Sequence, residues 1–152
     1  MKGTGRPPLP PLFALLLIIA AGLLDHFVPL PFRPASPLLK VVPFVLLAAA
    51  IALAGSAIRT MQRRNTTLDP RDTPSALVVT GPFRFSRNPI YLALLLVLAA
   101  FGVVFNSLWF FIAIPILIVL LSALVIPREE QNLTAVFGAD YADYKRRVRR
   151  WI

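Results

Sequence analysis

The chain has 152 residues, of which 57% are hydrophobic and only 15% are charged. A soluble domain is about 45–50% apolar and about 25% charged, so the excess of apolar side chains predicts a lipid environment. A net charge of +9 suggests nucleic acid when the protein is soluble, but here it is expected from basic residues that flank membrane spans, which disfavours nucleic acid as a partner. Without cysteine and with one histidine, the chain has no usual set of metal ligands, and we expect no metal site.

Four apolar stretches reach or approach the length of about 20 residues that a helix needs to cross a bilayer. The first runs from about Leu12 to Leu30 and the second from about Val41 to Ile58. The third runs from about Pro89 to Phe105, and the fourth runs from about Leu108 to Ile126. Because only two residues separate the third stretch from the fourth, they are expected to form a tight helical hairpin. The sequence therefore predicts an all-α integral membrane protein with about four transmembrane helices.

The basic residues fall almost entirely on one side of these predicted spans. Fourteen of the sixteen lie in the N-terminal segment, the segment 59–88 or the segment 127–152, and only Arg33 and Lys40 lie in the loop between the first two spans. Cytoplasmic loops of membrane proteins carry the excess of Lys and Arg, so both termini are expected in the cytoplasm. The interpretation is a multi-pass protein of a bacterial plasma membrane, in contact with anionic membrane lipids.

The predicted hairpin brings two charged corners of the sequence together. Arg87 and Asn88 precede the third span, and Glu129 and Glu130 follow the fourth. Ionised groups at the edge of the hydrocarbon are costly unless they are paired or face a polar cavity. One interpretation is a salt-bridged collar that has a structural role alone. The other is a pocket for a zwitterionic ligand, in which Arg87 binds a carboxylate and a glutamate binds a cation or ribose hydroxyls.

The C-terminal segment has the pattern of an amphipathic helix in two parts. Apolar residues at helical spacing precede Gly138, which can end a helical turn, and Asp140 can cap the helix that follows. The predicted apolar faces of the two parts consist of Leu133, Val136 and Phe137, and of Tyr141, Tyr144 and Val148. We expect this cytoplasmic amphipathic helix to lie at the interface and to cover the mouth of the hairpin.

Two motifs resemble those of the isoprenylcysteine carboxyl methyltransferase family. The run Gly81-Pro-Phe-Arg-Phe-Ser-Arg-Asn-Pro-Ile-Tyr91 is similar to the family's Gly-x-Tyr…Arg-His-Pro-x-Tyr signature. After the hairpin come Glu129-Glu130-x-x-Leu133, Phe137-Gly138-x-x-Tyr141-x-x-Tyr144 and Val148-Arg149-Arg150-Trp151, in the family's order. The resemblance covers roughly residues 66–152, and membrane methyltransferases that act on phospholipid amines share the same general plan.

The resemblance implies that S-adenosylmethionine is the methyl donor and that it binds at the cytoplasmic membrane face. The implied cofactor-binding residues are Ser75, Ala76, Leu77, Val78, Gly81 in the adjoining turn, Phe83, Asn88, Pro89, Ile90, Tyr91 and Glu129. The residues expected to take part in catalysis are Arg87, Glu129 and Glu130. Asn88 stands where the eukaryotic pattern has histidine, Phe83 replaces a tyrosine, and Val125 falls where the eukaryotic enzymes have an arginine linked to the prenylated substrate.

The resulting hypothesis is methyl transfer to a small amphiphilic or lipid-like acceptor. Residues 1–58 would form an N-terminal two-helix membrane region, and residues 59–152 would form the methyltransferase core. The sequence leaves two alternatives open, a small four-helix transporter and a non-catalytic membrane scaffold. The transporter is the weaker of them in one respect, because no ionisable residue lies in the middle of a predicted span to carry a coupled ion.

Overall fold

The computed structural model describes residues 10–32, 40–66 and 74–152, and within these ranges the chain forms helices and contains no strand. Lys2, Arg6, Arg33 and Arg71, which contribute to the charge count, lie outside the described residues. The helices are α1 (Pro10–Phe27), α2 (Val42–Arg63), α3 (Pro89–Phe105), α4 (Leu108–Leu120) and α5 (Ile126–Arg147), with a 3₁₀ turn at Gly81–Arg84 and a π-helical turn at Leu121–Val125.

The length and hydropathy of these helices confirm the prediction of an all-α membrane protein. Helices α1 and α2 and the continuous stretch that starts at Leu108 are each long and apolar enough to cross a membrane, and α3 is a shorter apolar helix. Helix α1 ends near Phe27, short of the predicted Leu30, because Pro29 disfavours helical geometry at the residue before it. Helix α2 continues to Arg63, past the predicted Ile58, because polar residues that leave the hydrocarbon can still extend a helix.

The packing between helices uses small residues. Each of the first three helices buries two alanines seven residues apart, whereas many of the large apolar side chains of α1 and α2 are exposed. Membrane helices associate through small residues that allow close approach, because lipid already solvates the large apolar ones. The buried alanines are Ala14 and Ala21 in α1, Ala50 and Ala57 in α2, and Ala93 and Ala100 in α3. Helix α3 lies at the centre, packed against α2, α4 and α1.

The hairpin between α3 and α4 is as tight as the sequence predicts. Asn106 adopts the left-handed conformation that ends α3, with φ 51° and ψ 44°, and asparagine tolerates this region better than most residues. The buried Ser107 then caps α4, because its Oγ accepts a hydrogen bond from the backbone N–H of Trp109. The indole N–H of Trp109 donates to the Val28 carbonyl at 2.8 Å, which joins the end of α1 to the start of α4.

This contact fixes the direction of α1 relative to α4. Since the last residues of α1 meet the first residues of α4 and the two helices pack together, α1 begins at the end of the bundle where α4 finishes. The segment 81–88 and helix α5 lie at that same end. The first and last described residues therefore share one end of the bundle, which we call the charged end because it carries Arg87, Arg128, Glu129 and Glu130.

The π-helical turn between α4 and α5 has a local cause. The N–H of Ile126 bonds to the carbonyl of Leu121, five residues back, rather than four. In a regular helix the ring of Pro127 would collide with the carbonyl of Ala123 and leave one backbone acceptor unpaired. Widening the helix by one residue relieves this conflict and rotates the residues that follow Pro127. The turn therefore sets the direction in which the two glutamates leave the membrane.

Gly138 interrupts α5 as the sequence predicts. Its backbone has φ 50° and ψ −117°, outside the helical region, so α5 consists of two helical parts that meet at a kink at Gly138. A residue with a side chain would be strained at this φ, whereas glycine is not. The second half of α5, from Ala139 onwards, can therefore fold back over the charged end.

We predict that Gly102→Ala lowers the melting temperature of the protein in detergent. A Cβ atom at Gly102 would lie 2.6 Å from the Phe111 ring across the hairpin, and overpacking of this kind costs about 1–3 kcal/mol. The matched control is Gly22→Ala in α1, where a Cβ meets nothing within 4 Å and helix propensity should leave the melting temperature unchanged or higher. Equal melting temperatures for the two variants would show that close packing at Gly102 is not needed.

Candidate functional site

The charged end begins with a turn that positions Arg87 and Asn88 at the start of α3. The N–H of Asn88 donates to the Oγ of the buried Ser86 at 3.0 Å, and Pro89 occupies the first turn of the helix. Proline suits that position, since the missing N–H has no helical partner there. Tyr91 follows one turn later, so its hydroxyl lies on the same side of the hairpin mouth as the side chains that leave α4.

Glu130 is the centre of an ion-pair cluster. Its carboxylate accepts two hydrogen bonds from the Arg150 guanidinium, from Nε at 3.1 Å and from Nη2 at 2.8 Å. Arg87 Nη1 lies 3.0 Å from the same carboxylate, and Lys145 Nζ lies at 3.8 Å. Burial alone would raise the pKa of Glu130, but the hydrogen bonds from Arg150 and the charges of Arg87, Arg150 and Lys145 together hold the pKa below its ordinary value. Glu130 is therefore ionised, and the neighbouring basic side chains balance its negative charge.

Glu129, the adjacent residue, has a different environment. Its Oε1 accepts a hydrogen bond from the hydroxyl of the buried Tyr91, and no described basic side chain forms an ion pair with it. Burial raises the pKa of Glu129, and the negative charge of Glu130 adds to this, while the hydrogen bond from Tyr91 partly offsets it. Since this carboxyl follows the apolar part of the helix, it lies at the membrane edge. Its ionisation is costly there, so Glu129 is more readily protonated than Glu130.

Arg87 lies almost entirely inside the cluster, with its side chain 11% exposed. Its Nη1 forms an ion pair with Glu130 Oε1 at 3.0 Å, but neither Nη1 nor the buried Nε has a partner with hydrogen-bond geometry among the described residues. An unpaired buried N–H usually costs free energy, and such groups commonly bind a ligand or water. The guanidinium therefore retains donor capacity that the described residues do not satisfy.

Both interpretations of the hairpin mouth thus find support in the geometry. The two predicted corners meet directly, as Arg87 with Glu130 and Tyr91 with Glu129. The Arg87–Glu130 pair is the predicted salt-bridged contact. The half-buried Glu129 carboxyl and the Arg87 Nε, which has no hydrogen-bond partner in the described part of the chain, are the groups expected of a ligand site.

The loop residues implied by the resemblance contact two other parts of the chain, the end of α2 and the C-terminal part of α5. Ser75 is tied to the end of α2, because its Oγ donates to the Asn65 carbonyl at 2.6 Å. Leu77, Val79 and Phe83 pack against Tyr141, Tyr144 and Val148, and Val78 is buried. Gly81 has a φ of +61°, and a Cβ there would lie 2.8 Å from Thr60 Oγ1, so glycine is required for this turn. Ala76 and Ile90 are half-buried and Pro89 is buried.

Three contributing residues escaped the sequence prediction: Ser86, Lys145 and Arg150. Ser86 supports the turn by accepting from Asn88, while Arg150 and Lys145 reach Glu130 from the C-terminal segment. The basic run 145–150 resembles an ordinary interfacial cluster, and nothing in its local pattern distinguishes Arg150 from Arg149. Asn88 was predicted to hydrogen-bond the cofactor, and the structure shows its Nδ2 donating to the Arg150 carbonyl at 2.8 Å.

Comparison with known proteins gives two matches. A family model described as phospholipid methyltransferase matches residues 39–140. An uncharacterised protein of Haemophilus influenzae (strain ATCC 51907 / DSM 11121 / KW20 / Rd) is 36% identical over 63 residues, which cover 41% of this chain and the whole of that protein. No solved structure matches the chain. The family match includes the hairpin and both glutamates, and it ends ten residues before Arg150.

We predict that the two adjacent glutamates respond in opposite ways to the same substitution. Glu130→Gln should lower the free energy of unfolding near neutral pH by about 1–3 kcal/mol, because it removes charged hydrogen bonds from a buried cluster. Glu129→Gln should leave the stability unchanged or raise it, because the pKa of Glu129 is raised and a neutral amide avoids the cost of a buried charge.

The pH dependence of melting in detergent checks this prediction. The Glu130 pKa is lowered, so the stabilisation that depends on its ionisation is present above the unfolded pKa and is lost as the pH falls through the folded value. The difference between wild type and Glu130→Gln should therefore shrink below about pH 4. A destabilisation by Glu129→Gln as large as that by Glu130→Gln would contradict the division of roles.

Proposed function

Because the chain belongs to the phospholipid methyltransferase family, we propose that it transfers a methyl group from S-adenosylmethionine to a small amphiphilic or lipid-like acceptor at the cytoplasmic membrane face. The family and the apolar helices identify a membrane methyltransferase. The donor, the acceptor class and the membrane face are our proposal. The observation that carries it is that one mouth of the hairpin holds both the half-buried carboxyl of Glu129 and the guanidinium of Arg87, whose buried Nε has no hydrogen-bond partner among the described residues.

The residues at the charged end fit the chemical groups of the proposed donor. S-adenosylmethionine, when bound, supplies a methyl group activated by a sulfonium, and it also carries an ammonium, a carboxylate and ribose hydroxyls. The Arg87 Nε is a buried donor without a partner in the described residues, which suits a carboxylate. The Glu129 carboxyl suits a hydroxyl or a cation. The remaining implied binding residues are Ser75, Ala76, Leu77, Val78, Gly81, Phe83, Asn88, Pro89, Ile90 and Tyr91.

Positioning and exclusion of water are the main tasks left to the protein when the transferred group is already activated. Tyr91 holds one oxygen of Glu129 and leaves the other free of any described hydrogen bond. Tyr144 donates to the Phe83 carbonyl at 2.7 Å and so closes the C-terminal half of α5 over the loop. We propose that this closure shields the site from water.

The two glutamates differ in what they can do for the acceptor. A carboxylate acceptor needs no base, whereas an alcohol must lose a proton to become a good nucleophile. Glu130 is unsuited to accept that proton, because three cations stabilise its ionised form. Glu129 has a raised pKa and no cationic partner among the described residues, so it is our candidate for the base if one is needed.

The rival functions receive less support from the structure. In the described parts of α1 to α4 the ionisable residues lie near helix ends, such as Asp25, His26, Arg59 and Arg63. A transporter coupled to ions needs such groups within the membrane. A scaffold assigns no role to Arg87 Nε, which is buried without a hydrogen-bond partner in the described residues. Family membership also favours an enzyme over both.

We predict that the purified protein in nanodiscs binds S-adenosylmethionine and is stabilised by it, by about 2.7 kcal/mol at a donor concentration 100 times Kd. Glu129→Gln and Arg87→Ala should each weaken binding by about 10- to 100-fold, the expected loss for a charged hydrogen bond. The matched controls are the exposed residues Asp140→Asn and Arg84→Ala, which should bind as wild type does. Calorimetric titration measures all five proteins.

Two results would reject this proposal. Unchanged donor affinity in both Glu129→Gln and Arg87→Ala rejects the site, and absence of donor binding by the wild type rejects the function. The acceptor is then sought by mass spectrometry of lipid extracts from cells with and without the gene. Methyl transfer should yield a lipid-like species that is heavier by one CH₂ and that is lost with the gene.

The proposed orientation is tested by cysteine labelling, since the natural chain has no cysteine. His26→Cys lies at the opposite end of the bundle and Ala142→Cys lies at the charged end, and both positions are exposed. In intact bacterial cells a membrane-impermeant maleimide should label the first variant and label the second only after lysis. The reverse pattern would place the charged end outside the cytoplasm.

A further inference from the structure

The last residues of the chain are held firmly against the site. The N–H of Arg87 donates to the Arg149 carbonyl at 3.1 Å, and Asn88 Nδ2 donates to the Arg150 carbonyl at 2.8 Å. The Ser86 hydroxyl lies 3.4 Å from that second carbonyl. Chain ends are usually poorly ordered unless specific contacts tie them down. Here the contacts come from the same short turn that positions Arg87.

The side chains of this segment also anchor it. Val148 is buried with Tyr141 and Tyr144, and Trp151 packs against the core formed by the membrane helices. Arg150 lies between these two apolar anchors, and its guanidinium donates two hydrogen bonds to the Glu130 carboxylate. The neighbouring residue, Arg149, is exposed. The segment therefore directs one arginine of its basic run into the site.

Arg150 changes what Glu130 does to Arg87. A carboxylate that paired with Arg87 alone would neutralise it and would be free to rotate with it. Because Arg150 holds the same carboxylate in the planar two-point geometry that arginine favours, Glu130 becomes a fixed support for Arg87. With Lys145 nearby, the cluster has three cations for the one Glu130 carboxylate, so it retains positive charge for an anionic group.

We propose that Arg150 is a positioning residue of the donor site, which fixes Glu130 so that Arg87 keeps the orientation needed to bind an anionic group of the ligand. This inference rests on the proposed function, because the ligand in question is the methyl donor. Arg150 lies beyond the residues that the family model matches, which end at 140. The C-terminal segment 144–151 is thus part of the binding machinery as well as a clamp on the fold.

A purely structural clamp and a positioning residue differ in measurable ways. Loss of a clamp lowers the melting temperature but leaves donor affinity unchanged well below that temperature. Loss of a positioning residue weakens donor binding in the folded protein and shifts its pH dependence. The groups that face Glu130 are Arg87, Lys145, Arg150, Tyr141 and Glu129.

The experiment compares Arg150→Met with Arg150→Lys, and uses Arg147→Met as a control with the same charge change on the same segment. Arg147 is exposed and hydrogen-bonds only within its own helix among the described residues. Arg150→Met should weaken donor binding about 10-fold, and Arg150→Lys, which keeps the charge but loses the two-point geometry, should fall between it and wild type. Arg147→Met should bind as wild type does.

The pH profile of donor binding gives the second measurement. The site needs ionised Glu130, and Arg150 helps to keep the Glu130 pKa low. In Arg150→Met this pKa rises, so donor binding should be lost at a higher pH than in wild type as the solution is acidified. In a Glu130→Gln background, Arg150→Met should have little further effect, because the two residues act through each other.

The outcomes separate the inference from the function beneath it. Failure of wild type to bind the donor overturns both. Donor binding by wild type, with unchanged affinity and an unchanged acid limb in Arg150→Met, overturns the role of Arg150 alone. If Arg150→Met does not fold, Arg150→Lys decides: an intermediate affinity and a shifted acid limb support the role, and wild-type values for both overturn it.

Discussion

The shared carboxylate of Glu130 is the contact on which the charged end depends. It joins three parts of the chain that are far apart in sequence: the turn before α3, the first turn of α5 and the C-terminal segment. Each cation that meets it would be costly at the edge of the hydrocarbon without a partner, and Glu130 is buried enough to need partners itself. Because the ion pairs satisfy both sides, the hairpin mouth, the loop and the chain end hold one arrangement.

The membrane environment allows a chain of this length to form that arrangement. Lipid solvates the large apolar side chains, so the helices can meet through alanines and through Gly102, where the Phe111 ring lies too close for any side chain. Close packing of α3 against α4, together with the two-residue connection, fixes where both helices leave the membrane. The position of the site thus follows from the packing at the opposite end of the bundle, where Ser107 caps α4 and Trp109 holds the end of α1.

Most of the architecture could be predicted from sequence, because hydropathy over 17 or more residues and a two-residue connection leave little choice of topology. The meeting of Arg87 with Glu130 followed from the same geometry. The end of α2 could not be placed, since hydropathy reports the edge of the membrane and not the end of a helix. The role of Arg150 was also hidden, because it depends on how the chain folds back after Gly138 and not on its place in a basic run.

The π-helical turn before α5 explains how two adjacent glutamates acquire different chemistry. Successive residues in a helix point about 100° apart, at 3.6 residues per turn, so Glu129 and Glu130 face different neighbours. The widened turn ahead of Pro127 sets which of them faces Tyr91 and which faces the cations. Glu130 is then held ionised by three basic groups, whereas Glu129 is left with a phenol and a raised pKa. Pro127 therefore determines, through the rotation of the helix, the different roles of the two glutamates. Glu130 supports Arg87, and Glu129 keeps a carboxyl that is available for chemistry.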